Sequence, residues 1–148
     1  VRIVVESAGP EDVPAMASIL SDWIDATPWM PRLHSRDEDR AFVAGLLASH
    51  EVLVARAGGV AGFLARQGGE IDALYVAATA RGRGVGSALL AAAGAAESDL
   101  SLWTFQANAG ALRFYSARGF VETERTDGNR NAERLPDVRL VRKAGGAA

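Results

Sequence analysis

Between Glu70 and Ala93 the sequence passes from Glu70-Ile71-Asp72-Ala73-Leu74-Tyr75-Val76, rich in β-formers, through Arg81-Gly82-Arg83-Gly84-Val85-Gly86-Ser87 into an apolar run from Ala88. This predicts a strand, a glycine-rich turn and a helix beginning near Gly84, and the rest of the chain is organised around that unit. Glycines at alternate positions carry no Cβ, so several backbone N–H groups can converge on one point. At a helix start those groups lack intrahelical partners and sit at the positive end of the macrodipole. Such a turn suits an anion, phosphate above all.

Two familiar phosphate loops fail here. The Walker pattern ends in Gly-Lys-Ser/Thr, and the only lysine is the distant Lys143. The dinucleotide pattern is met only as Gly82-x-Gly84-x-x-Ser87, and it wants an acid at the end of the following strand, roughly 20 residues on. That strand, Leu100 to Phe105, ends in Phe105-Gln106 without a carboxylate.

With 148 residues the chain is the size of one domain, here 1–148 with a frayed tail from about 144, and one core suffices. A net charge of −2 argues against a nucleic-acid partner, which needs a pronounced basic surface. There is no cysteine, so thiolate catalysis and Cys-based metal sites are excluded, and the two histidines, His34 and His50, are not spaced as a metal motif. The longest apolar stretch, Leu89 to Ala96, falls far short of the ~20 residues that span a bilayer, and the first residues do not read as a signal peptide. These features lead to the expectation of a soluble cytoplasmic protein without membrane contact. The preference for Ala, Gly and Arg over Lys fits a GC-rich bacterial coding bias.

Residues 1 to 6 suit a strand. Pro10 to Asp25 reads as a helix with Val13, Met16, Ala17, Leu20, Trp23 and Ile24 on one face. Prolines 28 and 31 interrupt, and Ser35-x-x-Glu38 is a capping box for a second helix ending near Ser49 with Phe42, Val43, Leu46 and Leu47 inward. Glu51 to Arg56 and Val60 to Arg66 form a hairpin across Ala57-Gly58-Gly59, and Gln67-Gly68-Gly69 turns into the strand ending at Val76. After the glycine turn come a helix to about Glu97, the strand Leu100 to Phe105, and a helix Asn108 to Arg118 stopped by Gly119. Phe120 to Arg125 and Val138 to Arg142 are closing strands around a polar loop. The order β-α-α-β-β-β-α-β-α-β-β is that of an α/β fold with a mixed sheet of about seven strands and helices on both faces.

Arg81-x-x-Gly84-x-Gly86 resembles the Arg/Gln-x-x-Gly-x-Gly/Ala signature of the Gcn5-related N-acetyltransferases, and Gln106-x-Asn108-x-x-Ala111-x-x-Phe114-Tyr115-x-x-x-Gly119-Phe120 resembles their second motif. The likeness covers nearly the whole chain and implies the single-domain GNAT fold with acetyl-CoA as cosubstrate. It implies that N–H groups of Gly82, Arg83, Gly84, Val85, Gly86 and Ser87 hold the pyrophosphate, with Arg81 or Arg83 adding charge. The backbone of Leu74 and Val76 would pair with pantetheine and face the thioester oxygen. Asn108 would bond pantetheine, and Tyr115 would serve as general acid toward the sulfur. Read without the resemblance, Asn108 is an N-cap and Tyr115 a partly buried aromatic.

An alkylamine with pKa near 10.4 is only about 0.1% neutral around pH 7.4, worth roughly 4 kcal/mol, so a base is expected. Strand alternation puts Glu70, Asp72, Leu74 and Val76 on one face, making Asp72 the first candidate and Glu70 the second, with His34 a third. Both carboxylates read equally as salt-bridged groups. Trp29 and Met30, between the first two helices, either wall the acceptor or staple their loop to the core, whereas Trp103 and Phe105 are expected in the core. Asn129 to Asp137 is either a lid or a polar turn.

These expectations amount to an N-acetyltransferase acting by direct transfer in a ternary complex on a primary amine of a small molecule or peptide, with no metal. A homodimer is compatible with a small enzyme of this kind. The alternative is a coenzyme-binding sensor or scaffold of the same fold, without working acid and base groups.

Overall fold

The apolar periodicities resolve, in the computed structural model, which describes residues 2–144, into β1 (Val4–Ser7), α1 (Val13–Ala26), α2 (Arg36–Ser49), β2 (Glu51–Arg56), β3 (Val60–Gln67), β4 (Glu70–Val76), α3 (Val85–Ala96), β5 (Leu100–Phe105), α4 (Ala109–Ser116), β6 (Val121–Thr126) and β7 (Asp137–Arg142). The order is the expected one. The helix expected from Pro10 starts instead as a 3-10 turn over Pro10–Asp12. Pro14 has no N–H to return to the Pro10 carbonyl, so the α-helix begins at Val13. Ser35 caps α2 as expected: its side chain accepts from the Glu38 N–H at 3.1 Å while Glu38 accepts from the Ser35 N–H at 2.8 Å. Phe42 is not inward; it lies on the rim of the Val43–Leu46 stripe and is 54% exposed. Ala144 is tied by its N–H to Asp99, and the rest of the expected frayed tail lies outside the described residues.

The strands form one sheet in the order β1-β2-β3-β4-β5-β7-β6, with every neighbouring pair antiparallel except β4 and β5. On one face α1 and α2 bury Met16, Leu20, Val43 and Leu46 against Val52, Val54, Phe63 and Ala73. On the other, α3 and α4 bury Leu89, Leu90 and Tyr115 against Leu64, Ile71, Leu102 and Leu140. Each face thus has its own apolar core. Among the described residues no helix is long and apolar enough to cross a membrane.

One irregularity in β4 sets the geometry of everything that follows. Ala73 stands opposite Ala65 and Ile71 opposite Arg66, leaving Asp72 as an extra residue. A bulge of this kind resets the alternation of side chains. Ile71 therefore packs on the α3 face with Leu74 and Val76, while Ala73 and Tyr75 pack on the α1 face. The expectation that Glu70, Asp72, Leu74 and Val76 share one face is corrected accordingly. Asp72 bonds His50 at the end of α2, and Glu70 bonds Ser101 and Arg139, so both carboxylates stand on the α1 face, opposite Leu74 and Val76.

Candidate active site

β4 and β5 pair only through Glu70↔Ser101 and Ile71↔Leu102. Beyond Leu102, β5 stays with β7, where Trp103 stands opposite Arg139 and Phe105 opposite Asp137, and β4 stays with β3. The strands part, and a cleft of about 400 Å³ opens between them. Its wall draws on both faces of the sheet: Leu74, Val76, Asn108 and Tyr115 from the α3 side, and Trp23, Asp72, Tyr75, Trp103 and Phe105 from the α1 side. The cleft is a slot through the sheet.

The Ala77 N–H bonds to Ala61 on β3 at 2.8 Å. Alternate N–H groups of a strand point to opposite neighbours, so those of Val76 and Leu74 point into the gap. They are donors without a strand partner, as pairing to β5 has ended by then.

Where the slot meets the α3 face, the glycine turn forms a depression of about 370 Å³ walled by Gly82, Gly84, Gly86, Ser87, Phe114 and Arg118. Gly84 is the N-cap of α3 with φ of 87°, a left-handed conformation that suits glycine. The first intrahelical bond runs from the Ala88 N–H to the Gly84 carbonyl at 3.0 Å, leaving the N–H groups of Val85, Gly86 and Ser87 directed out of the helix start. Gly86 has a second reason to be glycine, since a Cβ there would lie 3.3 Å from the Phe114 ring. Arg118 extends over that ring, 3.8 Å from its centroid, and donates to Ser87 Oγ from Nη2 at 2.6 Å and to the Phe114 carbonyl from Nη1 at 2.9 Å. Arg81 lines both the depression and the slot; Arg83 is exposed and lines neither.

Asn108 caps α4, its Oδ1 accepting from the Ala111 N–H at 3.1 Å, and it also lines the slot. Two turns along the same helix, Tyr115 is buried between Phe114 and Phe120, whose ring centroids lie 5.1 and 5.2 Å away. Among the described residues its hydroxyl has no hydrogen-bond partner. Burial raises its pKa well above the usual tyrosine value, with Tyr75 adding to the shift, so the hydroxyl stays protonated.

On the α1 face the two carboxylates differ in freedom. Glu70 receives both Arg139 Nη groups at 2.7 Å and the Ser101 hydroxyl at 2.8 Å. Burial alone would raise its pKa, but Arg139 and Ser101 outweigh it and hold the carboxyl below its ordinary range. Its stabilisation is therefore present above the unfolded value near 4.3 and is lost as pH falls through the lower folded one. Glu70→Gln is expected to cost about 1–3 kcal/mol of stability at pH 7, measured by urea unfolding, with the deficit shrinking in acid.

Asp72 lines the slot and makes one bond, to His50 Nε2 at 2.7 Å. In the tautomer with its proton on Nε2, His50 donates to this carboxylate. The Ser49 hydroxyl lies 2.7 Å from Nδ1.

The rest of the α1 side is aromatic. Edge-on contacts link Tyr75 to Trp23 at 5.4 Å, Trp23 to Trp29 at 5.8 Å and Trp29 to Phe105 at 5.9 Å. Trp29 stands behind this wall, and neither it nor Met30 is among the residues lining the slot. Trp103, expected in the core, is 42% exposed at the slot's rim, because β5 turns that face toward the opening. Burial, together with the charges of Glu133 and Asp39, pushes the Tyr75 hydroxyl up to about 12. His34 is exposed and pairs only loosely with Glu38, at 4.0 Å, away from the slot.

Sequence reasoning did not single out Trp23, Tyr75, His50 or Arg118. Tyr75 was hidden by the parity that the bulge overturns. His50 and Arg118 meet partners 22 and 31 residues away, a distance that leaves no local signal.

Residues 48–122, just over half of the chain, match the sequence profile of the acetyltransferase (GNAT) domain. No curated protein matches the sequence. In structure the chain is similar to apo YjaB of Escherichia coli, with a TM-score of 0.81 and 24% identity over 98% of this chain and 100% of that one. It is also similar to a GCN5-related N-acetyltransferase of Rhodopseudomonas palustris, with a TM-score of 0.80 and 24% identity over 97% and 96% of the two chains. A third likeness is to yncA of Salmonella typhimurium with its cofactor acetyl-CoA, with a TM-score of 0.70 and 21% identity over 95% and 92%. At these identities the likeness is one of fold.

Proposed function

Because the chain belongs to the GNAT acetyltransferase family, we propose that it moves an acetyl group from acetyl-CoA directly to a primary amine of a small molecule or peptide within a ternary complex. The observation that carries this reading is the slot between β4 and β5, which has the glycine-rich start of α3 on one face and the Asp72 carboxylate on the other. No cysteine is present to carry an acetyl intermediate. The pyrophosphate sits on the N–H groups from Gly82 to Ser87, beside Arg81 and Arg118, and pantetheine runs along the free edge of β4 near Asn108. The acceptor reaches the thioester from the α1 face.

Each step then has a group on this chain. Asp72, held by His50, takes a proton from the acceptor ammonium. The neutral nitrogen adds to the carbonyl carbon, and the oxygen that gains the electron pair is met by a β4 N–H, a kind of contact worth roughly 3–4 kcal/mol in other acyl transfers. Collapse breaks the carbon–sulfur bond, and the sulfur takes the Tyr115 proton as its charge develops. Of the two protons the nitrogen loses, one leaves to solvent through Asp72 and the other restores Tyr115. Glu70 is committed to Arg139 and has no part in this sequence.

Calorimetric titration with acetyl-CoA, with NAD and ATP as controls, tests the reading. Selective micromolar binding, about −8 kcal/mol, is expected, followed by thiol release in the presence of an amine. Absence of acetyl-CoA binding overturns it. Asp72→Asn is expected to lower kcat by about 100-fold or more with acetyl-CoA affinity kept. His50→Gln, which still offers an N–H to the carboxylate, is expected to keep more turnover than His50→Ala. If both His50 variants matched wild type in rate, His50 would have no positioning role.

A further inference from the structure

We propose, resting on the acetyltransferase reading, that the acceptor is a primary amine joined by a short alkyl spacer to a flat aromatic group and bearing no carboxylate or phosphate. The argument is what the α1 side of the slot offers beyond the reacting atoms. An amine placed between Asp72 and the parting strands has the rest of its molecule against Trp23, Tyr75, Trp103 and Phe105. Trp23 and Tyr75 are already held edge-on to each other, so that part of the wall is ordered before an acceptor arrives. Trp103 leaves an aromatic face open at the rim, 42% exposed. A flat ring finds edge and face contacts there, and the ammonium that precedes it is drawn both by Asp72 and by the π faces.

The same wall disfavours other amines. Among the described residues Asp72 is the one carboxylate in the lining, so a polyamine or an aminoglycoside would find only the weaker pull of ring faces for its further ammonium groups and no partner for its hydroxyl groups. An acceptor with its own carboxylate needs a cation. Arg139, beneath Trp103 at 5.5 Å, has both Nη groups on Glu70, and Arg81, which also lines the slot, is taken up in this reading by the pyrophosphate.

The experiment is a steady-state comparison of 2-phenylethylamine, phenylalanine, spermidine and kanamycin as acceptors, with acetyl-CoA binding measured in parallel. For 2-phenylethylamine kcat/KM is expected to exceed that for each of the other three by about tenfold or more. Trp103→Ala is expected to lower the ratio of 2-phenylethylamine to spermidine by about tenfold, and Trp103→Phe to retain most of it. Trp103 is exposed, so its truncation opens no core cavity, and acetyl-CoA affinity checks that each variant is folded. Preference for spermidine, kanamycin or phenylalanine, or a ratio unmoved by Trp103→Ala, overturns this inference while leaving the acetyltransferase reading intact. Failure to bind acetyl-CoA, or to acetylate any amine, removes both.

Discussion

Tyr115→Phe is expected to lower kcat by two to four orders of magnitude while leaving the acetyl-CoA dissociation constant within about twofold of wild type. The substitution is close to a pure removal of one proton donor. The ring sits between Phe114 and Phe120, contacts that phenylalanine keeps, and among the described residues the hydroxyl bonds to nothing whose loss would unsettle the fold. The sign of the pH effect follows from burial. A hydroxyl whose pKa is raised above its ordinary value near 10 remains a donor throughout the working range, so its ionisation brings no alkaline fall in kcat below about pH 10. Stopped-flow measurement of single-turnover acetyl transfer separates this step from product release. Equal rates for the variant and wild type would remove Tyr115 as the acid.

Gly84→Val is expected to weaken acetyl-CoA binding on the order of 10–100-fold, about 1.4 kcal/mol per tenfold. A Cβ at Gly84 meets nothing closer than the Ile3 Cδ1 at 4.0 Å, so the effect does not come from a clash in the core. It comes from φ of 87°. A β-branched residue there costs on the order of 1–3 kcal/mol, and relief of that strain turns the N–H groups of the helix start away from their common focus. Isothermal calorimetry reads the affinity, and a thermal melt shows whether the fold itself has suffered. Wild-type affinity in a folded Gly84→Val protein would mean that the pyrophosphate is held somewhere other than this turn.

Local chemistry explains why so much of the fold could be read from the chain. The hairpin at Ala57-Gly58-Gly59, the capping box at Ser35 and Glu38, and the stop at Gly119 are each decided within a few residues, and each has its physical counterpart in the structure. The glycine turn belongs to the same class, because its backbone demands are written into the residues that meet them. What escaped was decided across the sheet. The Asp72 bulge carries no glycine or proline to announce it, yet it moves two carboxylates to the face opposite Leu74 and Val76. Glu70 stood as the second candidate for the base until Arg139, 69 residues away, was found to hold it. Trp103 read as core because a strand interior usually is; it is open because its strand has parted from a neighbour, which only the pairing pattern reveals.

The two apolar cores on either side of the sheet make the molecule a composite of parts with separate obligations. In the proposed complex α3, α4 and the open edge of β4 meet the coenzyme, and α1 with the opposite face of β4 and the outer face of β5 meets the amine. Substitutions in one layer share few neighbours with those in the other, so their free-energy effects should add. If the proposed division holds, selection, natural or in the laboratory, can rewrite Trp23 and Trp103 to change which amine is recognised without renegotiating how the acetyl donor is held.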